Sequence, residues 1–539
     1  MRRQSLLSVL GLLALLSVGP GCGKRETPAA EGLRTKTLLL GNGAEPADLD
    51  PHVVTAYTDQ NILIALFEGL TAFDETTSQP VPAAAERWEN SPDGLTWTFH
   101  LRAGLRWSNA EPLTADDFVQ SWRRALHPAI ACPNADLFFS VKNAGAFNAG
   151  KLTDPAALGF SAPDARTIVI TLERPTAILP LLTALPVWFP LNPRVLARLN
   201  ALDKRNGAWT RPYHLVGNGP YKLTEWSPDD RVVVSKNPHY WDAPRCPLEK
   251  VVFFPIENAE VEERNFRAGQ LHLTYALPSA KIASYRARAA TPLRSDPLLQ
   301  TLYLNFNSTK APFDRPKLRR ALALAIDREA IANAIFSGSQ RAAFHFTPPD
   351  CGDYTARERV TFDPETARRL LAEAGFPGGK DLPSFPLQVL NDSNSTRMAE
   401  AIQAMWLREL GVRITIEPYE QKTWLQNQQT MSHTVGILRW TADFADPVTF
   451  LGLFTSEGGN NWSGWANPAY DQLLARAANT VDPRARYEIF QEAEKLLLTE
   501  APITPLVFGG KSYLAHPAVK GWEPARLGFH RYQRIDLKN

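Results

Sequence analysis

Beyond residue 21 the apolar residues of this chain come in short bursts. None reaches the roughly 18 consecutive positions that a helix needs to cross a bilayer. The bursts must therefore pack against one another. A run of 539 residues is too long for a single core and implies two to four lobes. With 44% hydrophobic and 21% charged residues, the balance is that of a soluble globular chain. Forty-three prolines and 14 tryptophans add rigid connections and aromatic walls.

The N-terminal segment has a different logic. Arg2 and Arg3 precede an apolar stretch, Leu6 to Val18, and then Gly19, Pro20, Gly21 and Cys22. The stretch is short for a membrane span, so residues 1–21 are read as a signal peptide. A Cys directly behind small residues resembles the bacterial lipoprotein signal. That implies acylation of Cys22, with 22–36 as a flexible tether to a membrane. Gly19 stands where that signal usually carries Leu, and the alternative is plain secretion with an unrelated Cys. Cys132, Cys246 and Cys351 remain. At most one disulfide can form among them, and spacing does not choose a pair.

Charge and motifs exclude several classes. Without Arg2 and Arg3, 56 basic side chains face 56 acidic ones, so there is no field to attract nucleic acid. The 10 histidines include no pair at metal spacing, and there is no CxxC or HExxH. Nucleophile-elbow, phosphate-loop and dinucleotide motifs are also missing. No metal and no cofactor is expected, and no catalytic residue is assigned.

The stretch richest in chemistry is Ile437 to Phe450, ILRWTADFADPVTF. It begins as a β-branched, apolar strand and then meets Asp443, Asp446 and Pro447. One reading is that Asp443 holds an amine at a cleft mouth while the strand edge pairs with an extended ligand. The other is that both carboxylates cap the next helix. A third, a carboxylate pair for glycoside hydrolysis, is disfavoured because residues three apart past a strand would diverge. Nearby, NNWSGW (Asn460 to Trp465) either lines a sugar site or covers its lobe.

Elsewhere the local signals are ordinary. SPDG (Ser91 to Gly94) is a turn before the alternating strand LTWTFHL, which Arg102 to Asn109 continue. Thr114 and Asp117 have capping-box spacing at the start of a helix to Leu126. Helices are expected over Arg319 to Ala334, Thr366 to Ala374 and Ala399 to Leu410. Strands are expected at Leu387 to Leu390 and Val412 to Glu417.

Five segments in order resemble the extracytoplasmic solute-binding proteins, family 5, of oligopeptide and dipeptide ABC transporters. They are Ala85 to Pro128, Asn218 to Pro244, Leu302 to Ile331, Ala367 to Gly379 and Arg439 to Leu451. The resemblance implies an α/β, type II periplasmic binding-protein fold with three lobes, two of which close on the ligand about a hinge. Lobe I is placed at 37–67, 193–299 and 509–539, lobe II at 68–192 and lobe III at 300–508. The implied partners are an oligopeptide and an ABC permease in the inner membrane. The protein would be a monomer, held to the membrane only by its lipid.

The same resemblance implies the site. Asp443, aligned by the trio Trp440, Ala442 and Asp443, would bind the ligand's α-ammonium. Main-chain groups of Arg439 and Thr441 would pair with the peptide backbone, and Trp440 would wall the cleft. Thr55, Tyr57 and Asn134 fall at further contact positions; for each the alternative is a plain loop or turn. Gln428 and Ile437 stand near places where well-known peptide receptors carry arginines. Arg439 or Lys422 would then meet the ligand carboxylate, or water would. These departures leave open a metal chelate, haem or sugar as the ligand.

Overall fold

The computed structural model describes residues 26–538. The expected signal peptide 1–21, the acylated Cys22 and the first residues of the tether lie outside that range. Much of the remaining tether is not a linker, which corrects the sequence reading. Pro28–Thr35 is a helix, opened by Pro28 and capped by Thr27, which accepts from the Ala30 N–H at 3.3 Å. Its first turn is fastened to the body. The His272 Nδ1 accepts from the Leu39 N–H at 3.0 Å, so its Nε2 donates to the Ala29 carbonyl at 2.9 Å.

Three sheets carry an α/β fold, each with its own core. The first is ordered Thr37–Gly41, Lys250–Phe254, Arg231–Lys236, Tyr221–Ser227. It buries Leu40, Ile62, Trp209, Tyr221 and Tyr532 together. The second is antiparallel, Ala85–Asn90, Thr96–Leu101, Thr167–Thr171, Phe160–Asp164. Its core is aromatic, with Phe138 stacked on Trp188 at 4.1 Å and Trp122 edge-on to Trp188 at 5.2 Å. The third has six strands: Arg341–Ala342, Ile503–Leu514, Leu293–Phe306, Val435–Thr441, Phe385–Leu390, Ile414–Tyr419. It packs Phe306, Phe313, Leu322 and Trp406.

Local chemistry explains most of the elements and two misreadings. In the SPDG turn Gly94 has φ +70° and donates to the Ser91 carbonyl at 2.8 Å. Asp117 accepts from the Thr114 N–H at 2.9 Å and starts its helix as its spacing predicts. The strand, however, stops at Leu101. Residues 102–109 turn back, with the Leu113 N–H on the Leu105 carbonyl at 3.0 Å. The expected helix from Arg319 to Ala334 is two helices, Pro316–Leu324 and Arg328–Phe336. Asp327 breaks it, because its carboxylate accepts from the Ala330 N–H at 3.0 Å. At the same junction the Arg328 guanidinium donates to the carbonyls of Ala323, Ile326 and Pro505.

Two long strands link the first and third cores. Leu293–Phe306 and Ile503–Leu514 pair antiparallel, but the register breaks between Pro297 opposite Gly510 and Thr301 opposite Phe508. Glycines fit this break because space is short. A Cβ on Gly509 would meet Gln300 Oε1 at 2.5 Å, and one on Gly510 would meet the Ser339 carbonyl at 2.4 Å. Cys132, Cys246 and Cys351 are buried and unpaired. Among the described residues no helix is long and apolar enough to cross a membrane.

Candidate functional site

The Val435–Thr441 strand lies between Leu293–Phe306 and Phe385–Leu390. It pairs with the first along its whole length, Val435 against Phe306 through Thr441 against Gln300. With the second it pairs only at Val435 and Gly436. Its final turns of pleat therefore have one ladder and one open edge. Antiparallel pairs alternate between bonded and non-bonded positions. The Ala442 N–H donates to the Leu299 carbonyl at 2.8 Å, so residues 440 and 438 face that neighbour. The main-chain N–H and C=O of Arg439 and Thr441 then face the open edge. An extended chain laid there would find donors and acceptors at strand spacing.

Just past this strand, Asp443 opens on a cavity of 990 Å³ between the second and third cores. Water reaches the carboxylate, yet protein surrounds it on most sides. That depth pushes its pKa up to about 6, and the charge of Asp136 adds to the effect. Among the described residues no cation neutralises it. Asp446 is the contrast. It caps the next helix, accepting from the Val448 N–H at 3.0 Å, as expected for that residue. It is also gripped by Arg486 at 2.5 and 2.8 Å, both side chains being buried.

The structure gathers Asp443, Trp440, Thr55 and Asn134 around this cavity. Tyr57 joins through a smaller recess of 60 Å³, which shares Thr55, Asn134 and Asp443. Tyr57 stacks on Phe529 at 5.0 Å. Burial and then the Asp443 charge hold its hydroxyl well above the usual tyrosine range. Trp440 is half-buried against the third lobe, and its Nε1 has no partner among the described residues. Trp462 and Asn460 of the NNWSGW loop complete the wall.

Arg439 and Thr441, expected here for their main-chain groups, send their side chains elsewhere. The Arg439 side chain lines a separate cavity of 530 Å³ with Gln300, Gln340, Asn391 and Tyr419. The Thr441 hydroxyl accepts from Gln300 Nε2 at 2.7 Å. Successive strand side chains take opposite faces, so only the backbones of 439 and 441 serve the edge. Lys422 is exposed on its helix, and Gln428 is buried against Gly436. Sequence reading missed Asp136, Ser140 and Arg174 of the second lobe, which line the Asp443 cavity. Only the polar turn after Pro133 hinted at them.

Known proteins share this architecture over nearly its whole length. The model of the bacterial extracellular solute-binding proteins, family 5, matches residues 79–462. The periplasmic oligopeptide-binding protein OppA of Salmonella typhimurium is 33% identical, over 100% of this chain and 98% of the relative. The probable deoxycholate-binding periplasmic protein YgiS of Escherichia coli is also 33% identical, over 96% of each. The solved murein tripeptide binding protein MppA of Escherichia coli superposes with a TM-score of 0.79. It is 31% identical, with coverage of 93% of this chain and 98% of that one. With the five ordered segments and the three-core fold, these matches place the chain in the family 5 bacterial extracellular solute-binding proteins.

Proposed function

We propose that this protein is the substrate-binding component of an ABC transporter, capturing oligopeptides outside the inner membrane for delivery to the permease. Anchoring through the acylated Cys22 belongs to the same reading. The observation that carries it is an un-neutralised carboxylate, Asp443, beside an open strand edge at Arg439 and Thr441. The carboxylate recognises the one charge that every peptide offers at its start, and the edge recognises the repeating main chain. Side chains enter hydrated space, so one site serves many sequences. The protein does no chemistry on its ligand in this reading, and the bound peptide leaves intact.

The names of relatives favour peptides in two cases and a bile acid in one. Charge separates the readings. Deoxycholate is an anion without an amine, and Asp443 and Asp136 would repel it. Titration calorimetry with Ala-Ala-Ala, its N-acetyl form and deoxycholate tests this directly. Binding of the free peptide with at least a tenfold loss on acetylation is expected. Equal affinity for both peptides, or binding of deoxycholate alone, would remove the role given to Asp443.

A further inference from the structure

The cavity at Asp443 is far larger than an ammonium needs. Its 990 Å³ lies at the upper end of the roughly 300–1,000 Å³ typical of small-ligand pockets. The wall opposite Asp443 comes from the second lobe, where Ala135–Phe138 forms a short 3-10 turn capped by Asn134. Asp136 projects from this turn, exposed to the cavity. Its carboxyl, like that of Asp443, stands above the ordinary range. Desolvation by the surrounding cavity walls is the main cause at Asp136, although water still reaches the residue, and no cation draws either group down. Two arginines also line the space. Arg486 is taken by Asp446, and Arg174 is exposed on the second lobe without an ion-pair partner among the described residues.

A second observation is independent of these charges. Ser140 is only 8% exposed, lines the same cavity, and its hydroxyl has no hydrogen-bond partner among the described residues. Buried hydroxyls are ordinarily paired, so this one is suited to a partner that a ligand supplies. Leu137, Ile178 and Trp440 give the cavity apolar walls against which a methylene stem can lie.

We propose that this cavity receives the side chain of the ligand's first residue and that Asp136 selects a cationic one. The ligand end would then carry two positive charges, an α-ammonium on Asp443 and a lysine- or arginine-type group on Asp136, with Ser140 accepting a hydrogen bond. A single ammonium leaves one of the two carboxylates uncompensated, whereas a dicationic end satisfies both. This rests on the reading of Asp443 given above.

The test compares Lys-Ala-Ala with norleucine-Ala-Ala, which differ in the side-chain charge, by titration calorimetry on the purified protein. The lysine peptide is expected to bind at least tenfold tighter. Asp136→Asn should abolish that difference by weakening the lysine peptide far more than the norleucine peptide, and Asp443→Asn should weaken both. Equal affinities in the unaltered protein overturn the inference, as does an undiminished lysine preference in D136N. If norleucine-Ala-Ala binds through Asp443 with no gain from lysine, the inference alone falls. If neither peptide binds, the proposed function falls with it.

Discussion

Replacing Asp443 by Asn should stabilise the empty protein while damaging its binding. The carboxyl is raised from 3.8 to about 6 by its depth in the cleft and by Asp136. A raised pKa means that the folded state holds this proton more tightly than the unfolded chain does. The group's contribution is thus most favourable below about pH 4, declines between about pH 4 and 6, and is lost above that. Fully converted at about 1.4 kcal/mol per unit, the shift would be worth about 3 kcal/mol. Water of the cavity reaches the carboxylate and screens it, so about 1 kcal/mol is the expected size. For a chain this long that corresponds to about 1–2 °C in unfolding midpoint. Asp443→Asn should unfold at the higher temperature at pH 7.5 without ligand and should match the unaltered protein near pH 4. The same variant should lose at least tenfold in affinity for Ala-Ala-Ala and nothing for the acetylated peptide. A lower midpoint at pH 7.5, or a difference that ignores pH, would refute the electrostatic account of this site.

Three further outcomes follow from the same geometry. Affinity for a free-amine tripeptide should fall as pH drops below about 6, because Asp443 then takes up a proton; calorimetry at pH 7.5 and 5 reads this, and a flat profile contradicts it. Asp446→Ala should cost about 3–5 kcal/mol of stability, since Arg486 is left as an unpaired buried charge; a change in denaturant midpoint worth under 1 kcal/mol would contradict the pairing. Methylating the ligand amide that meets the open edge at Arg439 or Thr441 should weaken binding about three- to tenfold, the size of one net hydrogen bond. A full series of N-methylated tripeptides with unchanged affinities would remove the added-strand geometry.

What the sequence revealed depended on how far apart the cooperating residues lie. Asp117 and Thr114 are three positions apart, and their capping box forms as read. Asp443 sits just past a β-branched strand, and that adjacency alone puts it at a sheet end. The helix Pro28–Thr35 also carried local signals, Thr27 as cap and Pro28 in the first turn. They were outweighed by a Pro- and Gly-containing composition that reads as linker, and the decisive contact, His272 with Ala29, spans 243 residues. The break at Asp327 was hidden for the reverse reason. A continuous run of good helix formers outvoted one capping side chain, whereas Arg328 is fixed by the distant carbonyl of Pro505. Asp136 faces Asp443 across some 300 residues of chain, so no periodicity or spacing could join them.

That separation matters for how the site responds to a ligand. Asp136 lies beside the second core and Asp443 at the end of a strand of the third sheet, and the charge of Asp136 raises the cost of charge at Asp443. Narrowing the gap between two uncompensated carboxylates increases their repulsion. A ligand ammonium between them changes the sign of the local interaction, because both carboxylates then attract the same group. The ligand therefore has a different interaction free energy with a wide gap and a narrow one. Only such a difference allows binding to shift a conformational equilibrium. The irregular pairing at Pro297 and Gly510 lies on the strands that link the first and third cores, where the ladder between them is interrupted. On the proposed reading of Asp443, charge in the gap would make closure depend on an amine. A receptor with Asp443 already paired, as Asp446 is with Arg486, would have no such dependence.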